Sequence, residues 1–328
     1  MNITRMDLPA PGPLEVAHSE RLQDIIRREI EAAGGRITFA HYMELALYAP
    51  GLGYYSAGLQ KFGAGGDFVT APEISPLFAR CIARQCQQVL EQMEQGDILE
   101  VGAGSGVLAC DVLSECEHLG CLPQHYFILE LSAELRARQQ DVLTQRVPQH
   151  AARVRWLDTL PERGFHGVVL ANEVLDAMPL HRFRIDGDAV YECYVGYEGG
   201  YFVWRHGPIS DAALAGRIAA VRSRVHDLPQ VFESEVSLAA SAWIRSIADV
   251  IERGLVLLID YGHARSELYH AQRADGTLLC HYRHRAHADP LILAGLQDIT
   301  AHVDFTAVAE AAHSAGLSVV GYTTQAIF

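Results

Sequence analysis

The residues whose types and spacing most clearly suggest chemistry lie in Ile98–Gly106, with the sequence ILEVGAGSG. An apolar run that carries one acid, Glu100, is followed by glycines on alternate positions, Gly102, Gly104 and Gly106. The apolar run is typical of a buried strand in a parallel sheet. The glycines allow a sharp turn, let a ligand lie against the backbone, and let the next helix begin tight against the sheet. This pattern predicts the floor of a site for a nucleotide-like cofactor.

Two classes of cofactor fit such a turn. A dinucleotide site has the pattern G-x-G-x-x-G, with the pyrophosphate at the helix N-terminus. Here the third glycine comes one position early, and Val107 occupies the place that this pattern needs. Glu100 suits a cofactor without a pyrophosphate, because its carboxylate can meet the cationic amino-acid end of S-adenosylmethionine (SAM), directly or through water. The turn alone leaves both classes open.

Three further predicted strands also end in polar side chains. The strand in YFILEL ends in Glu130, whose carboxylate can accept both hydroxyls of a ribose. The segment RVRWLDTLP places Asp158 where an adenine amino group could donate to it, and GVVLANEVLDAMP ends its strand in Asn172 and Glu173. Open α/β sheets bind ligands at the carboxyl edge of their strands. The polar strand ends therefore predict one ligand site along that edge.

In the order and the residues of its motifs, the chain resembles class I SAM-dependent methyltransferases. The resemblance is to the MidA-like branch, which includes the mitochondrial complex I assembly factor and protein arginine methyltransferase. GDFVTAPEIS and NEVLDAMP are its most specific signatures. The segments that carry it span nearly the whole chain: Tyr42–Tyr55, Gly66–Ser75, Ile98–Gly106, Asn172–Phe183, Leu257–Gly262 and Asp298–Phe305.

The resemblance implies a fold, a cofactor and a set of contacts. The fold class is α/β, a Rossmann-like class I methyltransferase domain with a mostly parallel seven-stranded sheet and helices on both faces. An N-terminal helical and loop extension and an inserted module complete it. SAM is the implied cofactor, and no metal is expected. The residues expected to contact SAM lie in the glycine-rich N-terminal loop, in the glycine turn and at the strand ends: Gly66, Asp67, Phe68, Thr70, Glu73, Glu100, Gly102, Gly104, Gly106, Glu130, Leu131, Asp158 and Asn172.

The resemblance also implies the methyl acceptor, an arginine side chain of a protein, with a respiratory-complex subunit as one such protein. A guanidinium has a pKa above about 12, so it needs carboxylates to orient it and hold its charge. Glu173 and Asp176 are the predicted catalytic residues. Two alternatives stay open. One is methyl transfer to a small molecule or another residue type, and the other is an assembly or adaptor protein that binds SAM without turnover.

Four segments are expected along the chain. They are an N-terminal helical extension with a cofactor-covering loop (1–75), the first half of the SAM-binding domain (76–180), an inserted substrate or partner module (181–253) and the second half of the domain (254–328). Apolar periodicity predicts a helix at Ser19–Ala33 with Ser19 as its N-cap.

Alternating residues between turn signals predict a three-stranded meander in the inserted segment. The tail is expected to complete the sheet with the strands TLLCHY and LSVVGYTT. The remaining predicted elements are strands at Arg182–Asp186, Val190–Tyr197 and Tyr201–Arg205, and helices near Asp211–Arg224, Val236–Glu252 and Phe305–Ala315.

Composition narrows the class of partner and compartment. A formal charge of −14 and a pI near 5.5 disfavour a nucleic-acid partner, which needs a basic surface. Seven cysteines without a C-x-x-C motif indicate buried apolar thiols in a reducing compartment. His281, His284 and His287 alternate with arginines and predict a solvated basic segment rather than zinc ligands.

The N-terminal segment carries acids and no long apolar run, which disfavours a targeting peptide. No apolar run approaches the length of a membrane span. The expectation is a cytoplasmic protein without membrane insertion, and the sequence predicts no oligomeric state.

Overall fold

Both parallel and antiparallel sheets occur in the structure, a computed structural model that describes residues 8–57, 71–225 and 228–328. The helices in these residues are α1 (Pro13–Ala32), α2 (Phe39–Tyr48), α3 (Ala71–Ile74), α4 (Pro76–Leu90), α5 (Val107–Leu119), α6 (Ala133–Arg146), α7 (Ala212–Arg224), α8 (Leu238–Val250), α9 (Arg265–Leu268) and α10 (Phe305–Ser314). The strands are β1 (Ile37–Thr38), β2 (Asp97–Val101), β3 (Tyr126–Leu129), β4 (Val154–Leu157), β5 (Phe165–Asn172), β6 (His181–Asp186), β7 (Ala189–Glu198), β8 (Tyr201–Gly207), β9 (Val231–Val236), β10 (Ile251–Ile259), β11 (Gly262–His263), β12 (Leu279–Tyr282), β13 (Arg285–His287), β14 (Asp298–Thr300) and β15 (Val303–Asp304).

These elements fall into two compact units. The first unit comprises Met1–Leu59, Leu175–Ala242 and Tyr261–Glu310, and the second comprises Gln60–Val174, Trp243–Asp260 and Ala311–Phe328. Each unit is therefore assembled from segments that are distant in sequence. The four segments expected from the sequence divide the chain differently, and their boundaries remain a prediction.

The second unit contains a five-stranded parallel sheet with the strand order β10-β5-β2-β3-β4. Its register aligns the strand ends, since Val101 pairs with both Leu129 and Ala171, and Leu129 pairs with Leu157. The residues that follow these four therefore leave the sheet at the same edge. That edge is where the sequence predicts the ligand site.

Apolar side chains cover both faces of this parallel sheet. Ile98 and Val168 belong to one buried cluster, whereas their neighbours Leu99 and Val169 belong to another. Successive residues of a strand point to opposite faces. A strand that is buried on both faces has a nearly continuous apolar sequence, which explains the apolar run before the glycine turn.

The first unit contains an antiparallel sheet with the strand order β1-β7-β6-β9, and β8 pairs with β7. The predicted meander is present as β6, β7 and β8. The sequence did not predict β9, which pairs with β6 along its whole length. Aromatic side chains from β6, β9 and the end of α9, namely Phe183, Phe232 and Tyr269, lie in the apolar core of this unit.

Two predicted strands of the tail do not join the parallel sheet. TLLCHY forms β12, which pairs antiparallel with β13 and β14 in the first unit. LSVVGYTT forms no strand, and Val319 and Val320 are exposed. The prediction of seven strands is therefore not confirmed, since the described residues give five in this sheet. Strand pairing depends on distant partners, which the local apolar pattern does not specify.

Helix α1 begins earlier than predicted. Pro13 is its first residue, and Gly12 is its N-cap, with the Gly12 N–H donating to Glu15 Oε2 at 2.6 Å. Ser19 is not the N-cap but lies within the helix, buried, and donates to the Ala294 carbonyl at 2.8 Å. Proline suits the first helical position, because an N–H there would have no partner within the helix and proline has none.

Candidate functional site

The glycine turn after β2 has a left-handed backbone at each of its three glycines. Their φ angles are 66° at Gly102, 53° at Gly104 and 81° at Gly106, which is also the N-cap of α5. A Cβ atom at Gly102 would lie 3.3 Å from Val174 Cγ2, and one at Gly106 would lie 3.2 Å from Gln139 Cα. The left-handed backbone therefore favours glycine at Gly102 and Gly106, where a Cβ atom would also crowd Val174 and Gln139.

Glu100, two residues before this turn, is 2% exposed. The Tyr126 hydroxyl donates to its Oε2 at 2.7 Å. The pKa of Glu100 is raised to about 7, and burial is the largest cause. The hydrogen bond from Tyr126 lowers the pKa because it stabilises the ionised form, and the nearby Glu130 carboxylate raises it. A cation brought next to this carboxyl would favour its ionised form.

Glu130, at the end of β3, is 8% exposed, and donors from the chain contact both of its carboxylate oxygens. The Ser132 N–H donates to Oε1 at 2.9 Å, and Gln139 Nε2 donates to Oε2 at 3.0 Å. These bonds fix the orientation of the carboxylate. A carboxylate can accept about four hydrogen bonds, so this environment is compatible with binding the hydroxyls of a ribose.

The polar group that follows β4 lies in solvent. The Asp158 side chain is 84% exposed, and Arg136 Nη2 donates to its Oδ1 at 2.6 Å. The same Arg136 nitrogen contacts the carbonyl oxygens of Glu130 and Leu157. Leu131 is 80% exposed next to Glu130, so an apolar surface adjoins the acids. The sequence did not identify Arg136.

Two predicted contact residues carry buried oxygens that lack a hydrogen-bond partner among the described residues, Glu73 Oε2 and Asn172 Oδ1. Such atoms are costly to bury unless something donates to them. Both belong to the second unit. The other predicted contacts of the N-terminal loop, at Gly66, Asp67, Phe68 and Thr70, lie outside the described residues.

The donor set of SAM fits these residues. Its ribose hydroxyls, adenine amino group and ammonium group all donate hydrogen bonds, and the strand ends offer acceptors at Glu100, Glu130, Asp158 and Asn172. Among the described residues, no group of histidine, cysteine and acidic side chains has the arrangement of a metal site. These strand ends can therefore bind an adenosyl group through oxygen acceptors.

Glu173 follows β5 in an unusual backbone conformation, with a φ angle of 52°. Its N–H donates to the Ile259 carbonyl at 2.8 Å, and the next N–H, of Val174, donates to Asp260 Oδ2 at 3.1 Å. A left-handed conformation costs a residue with a side chain about 1 kcal/mol or more. Asp260, which follows β10, thus helps to hold this bend in place.

Asp176, the second predicted catalytic residue, belongs to the first unit and is 9% exposed. Nearby in this unit, the Tyr55 hydroxyl donates to Asp298 Oδ1 at 2.8 Å, and the rings of Tyr48 and Tyr55 stack with centroids 5.5 Å apart. Burial, and then the charges of Asp298 and Asp176 among its neighbours, keep the pKa of Tyr55 well above its usual value. The Tyr48 hydroxyl donates to the Ala177 carbonyl at 2.9 Å.

Asp298 and Tyr48 were not named as site residues from the sequence, whereas Tyr55 was predicted, with other aromatics, to close over an adenosyl group. A signal was present, because they lie in two of the segments that carry the family resemblance, Tyr42–Tyr55 and Asp298–Phe305. The structure brings these segments together with Asp176 in the first unit.

A parallel sheet with buried acids and an amide along its carboxyl edge defines an open α/β protein with a candidate ligand site at that edge. Residues 81–323 match a family model described as "Putative S-adenosyl-L-methionine-dependent methyltransferase". Because this match covers more than half of the chain, the chain belongs to that family of SAM-dependent methyltransferases.

Relatives with names and solved structures agree with this assignment. The chain is 31% identical to protein arginine methyltransferase NDUFAF7, mitochondrial, from Danio rerio, over 84% of this chain and 68% of the relative. It is 29% identical to the Caenorhabditis elegans homolog, over 91% of this chain and 73% of the relative. A crystal structure of a Burkholderia thailandensis protein bound to S-adenosyl-homocysteine is 47% identical, with a TM-score of 0.91, covering 98% of this chain and 82% of the other.

These likenesses confirm the family resemblance, the α/β class and SAM as the cofactor. The predicted cytoplasmic location is wrong on this evidence, because the relatives from Caenorhabditis elegans, Danio rerio and Homo sapiens are named mitochondrial. Buried cysteines and an acidic N-terminal segment do not distinguish one reducing compartment from another. No helix of the described residues combines the length and apolar character that crossing a membrane requires. The roles of individual site residues remain predictions.

Proposed function

We propose that the chain transfers the methyl group of SAM to an arginine side chain of a protein substrate. The proposal that the methyl acceptor is an arginine rests on the sequence identity of 31% to a relative named as a protein arginine methyltransferase. The acids predicted as catalytic from the sequence, Glu173 and Asp176, support it, since a guanidinium needs carboxylates to hold its charge.

The cofactor contacts are proposed from the strand ends of the second unit. Glu130 binds the ribose hydroxyls, Asp158 accepts from the adenine amino group, and Leu131 offers an apolar surface to the adenine ring. Glu100 meets the ammonium group. The glycine turn lets the ligand approach the backbone. Gly66, Asp67, Phe68, Thr70 and Glu73, of which Glu73 lies in α3, are proposed as further contacts.

Bound SAM supplies a methyl group on a positively charged sulfur, so that a nitrogen–carbon bond forms as the sulfur–carbon bond breaks. Glu173 is proposed to hold the acceptor guanidinium and to take the proton that its nitrogen loses. The left-handed backbone of Glu173 supports this role, because strain of this kind occurs where a side chain must be aimed. Alignment and exclusion of water then provide most of the rate.

Asp176 is proposed to supply a negative charge that attracts a guanidinium. Its environment supports this, because Asp298 and the stacked pair Tyr48 and Tyr55 lie in the same unit. Carboxylates and aromatic faces are the groups that attract a guanidinium.

The inserted module at 181–253 is proposed to govern the choice of target protein. In support, Tyr201, the first residue of β8, is 75% exposed, which is a high fraction for a large aromatic side chain. Tyr201→Ser should leave SAM binding unchanged and raise KM for the protein target. Removal of the whole meander would also remove strands of the antiparallel sheet, so a surface substitution is the sharper test.

The test of the function is to incubate the protein with isotopically labelled SAM and cell extract, and to map the label by peptide mass spectrometry. Label on arginine is the expected result. Label on another residue type or on a small molecule would refute the acceptor. Absence of any transfer, with SAM binding intact, would favour an assembly or adaptor protein.

A further inference from the structure

A glutamine lies on the apolar face of α6. The buried helical positions there are Leu135, Gln139 and Leu143, each four residues apart. Gln139 is 0% exposed. An apolar residue would complete this stripe without cost, whereas a buried amide is costly unless its polar atoms are paired. The hydrogen-bond partners of its amide therefore indicate why a glutamine is present.

Each polar atom of Gln139 contacts a different part of the second unit. Nε2 donates to the Gly104 carbonyl at 3.0 Å and to Glu130 Oε2 at 3.0 Å. Oε1 accepts from Trp156 Nε1 at 2.9 Å. One side chain thus joins the glycine turn, the acid at the end of β3, and β4.

Trp156 decides which way the amide faces. An indole N–H can only donate, so it must meet the oxygen of the amide and not the nitrogen. The Nε2 group then faces both Gly104 and Glu130, and each of its two hydrogens has an acceptor. The alternative orientation would place the amide oxygen against the carbonyl of Gly104 and the carboxylate of Glu130.

The backbone of α6 is also packed against the same turn. A Cβ atom at Gly106 would lie 3.2 Å from both Cα and Cγ of Gln139. The close approach of helix and turn brings the amide within reach of Gly104. Neither partner has much room to shift separately.

We propose that Gln139 is a positioning residue, which holds the Glu130 carboxylate and the glycine turn in one fixed arrangement, so that SAM meets a preformed ribose site. The inference rests on the proposed role of Glu130 as the ribose acceptor. Gln139 acts through Glu130 and need not touch the ligand. A site held in advance binds more tightly, because fewer groups become ordered on binding.

The test is a double-mutant cycle on S-adenosyl-homocysteine affinity, measured by calorimetry with the wild type, Gln139→Met, Glu130→Ala and the double variant. Gln139→Met keeps the length of the side chain and removes its hydrogen bonds, so affinity should fall by about 10- to 30-fold. In the Glu130→Ala background the same change should cost less than about threefold, because the positioned carboxylate is gone. A purely structural role would give the same loss in both backgrounds and would overturn the inference.

Gln140→Met is the matched control, since Gln140 is the exposed neighbour on the same helix. It should leave affinity unchanged. If Gln139→Met does not fold, Trp156→Phe tests the same point, because it removes the N–H that orients the amide. That variant should weaken binding by about threefold, and unchanged affinity would overturn the inference.

The cycle separates the two proposals. If Glu130→Ala leaves affinity unchanged, the ribose assignment fails and the positioning role fails with it. If Glu130→Ala weakens binding but Gln139→Met does not, the positioning role fails alone.

Discussion

Two regions of the molecule bury ionisable side chains but surround them with different partners. At the strand ends of the parallel sheet, the described hydrogen bond to Glu100 comes from a neutral hydroxyl, and burial raises its pKa to about 7. In the first unit, Arg265 is 5% exposed, but its guanidinium donates to both oxygens of Glu310 at 2.8 and 2.7 Å and to Asp304 Oδ2 at 3.2 Å.

The difference separates charges that stabilise a fold from charges that await a ligand. A buried ion that is paired with opposite charges of the protein stabilises those charges. Its removal leaves them buried without a partner, which destabilises the fold. A buried acid held by neutral donors keeps an unfavourable ionised form, which a cationic ligand can stabilise. Residues of the first kind should therefore affect stability, and residues of the second kind should affect binding.

The largest effect is expected from Arg265→Met. It should lower the free energy of unfolding by about 3 kcal/mol, because Asp304 loses the guanidinium that pairs with it. Glu310 loses one of its two cations and keeps Arg217, which donates to its Oε2 at 2.8 Å. The expected loss is at the low end for a buried pair, since the Glu310 side chain is 37% exposed. The measurement is denaturation by urea, followed by circular dichroism.

The control for Arg265 is an exposed ion pair. The Arg163 side chain is 82% exposed and lies 3.5 Å from Asp249. Arg163→Met should change the unfolding free energy by less than about 0.5 kcal/mol. Equal losses in the two variants would remove the distinction between buried and exposed ion pairs.

Glu173→Gln should reduce turnover by at least about 100-fold, the scale of a lost electrostatic contact to a reacting group. The substitution keeps the shape and removes the charge, so affinity for S-adenosyl-homocysteine should stay nearly unchanged. Asp176→Asn should have the same effect less severely. Single-turnover rates with labelled SAM measure both, and full activity in Glu173→Gln would refute its role.

Buried and exposed acids at the same strand ends should differ in their contribution to binding. Glu130→Ala should weaken S-adenosyl-homocysteine by roughly 10- to 100-fold, because it removes charged hydrogen bonds from a buried site. Asp158→Ala should weaken it by less than about fivefold, since water screens a side chain that is 84% exposed. Calorimetry compares the two, and the reverse order would show that exposure does not rank these contacts.

The sequence predicted the ligand edge of the parallel sheet because local pattern determines it. Apolar runs that end in Gly102, Glu130 and Asp158 mark strands, and parallel register brings their ends to the same edge. The place of the tail was not predicted correctly. LSVVGYTT has the composition of a strand, but 317–324 forms none, because pairing requires a distant partner that the pattern does not identify.

The sequence identified acids at the strand ends and missed the residues that hold them. Gln139 and Arg136 lie on α6, where polar residues normally indicate a solvated face. Their contacts to Gly104, Glu130 and Asp158 arise when the helix packs against the turn and the strand ends. The acid Asp298 was missed for the same reason, since its contact with Tyr55 joins residues that are 243 positions apart.

The last expected effect is a pH dependence that Glu100 gives to binding and stability. Its pKa in the folded protein is raised to about 7, so the proton stabilises the folded state at low pH, and this stability is lost as pH rises through about 7. Glu100→Gln removes that loss and should make the ligand-free protein more stable than the wild type at pH 8, by about 1–3 kcal/mol.

Binding should show the opposite trend, because a cationic ammonium group prefers the ionised carboxyl. Wild-type affinity for S-adenosyl-homocysteine should rise about tenfold between pH 6 and pH 8, and Glu100→Gln should bind more weakly at pH 8 with a flat profile. Calorimetry at several pH values tests both proteins, and a variant that keeps the wild-type slope would assign the titration to another group.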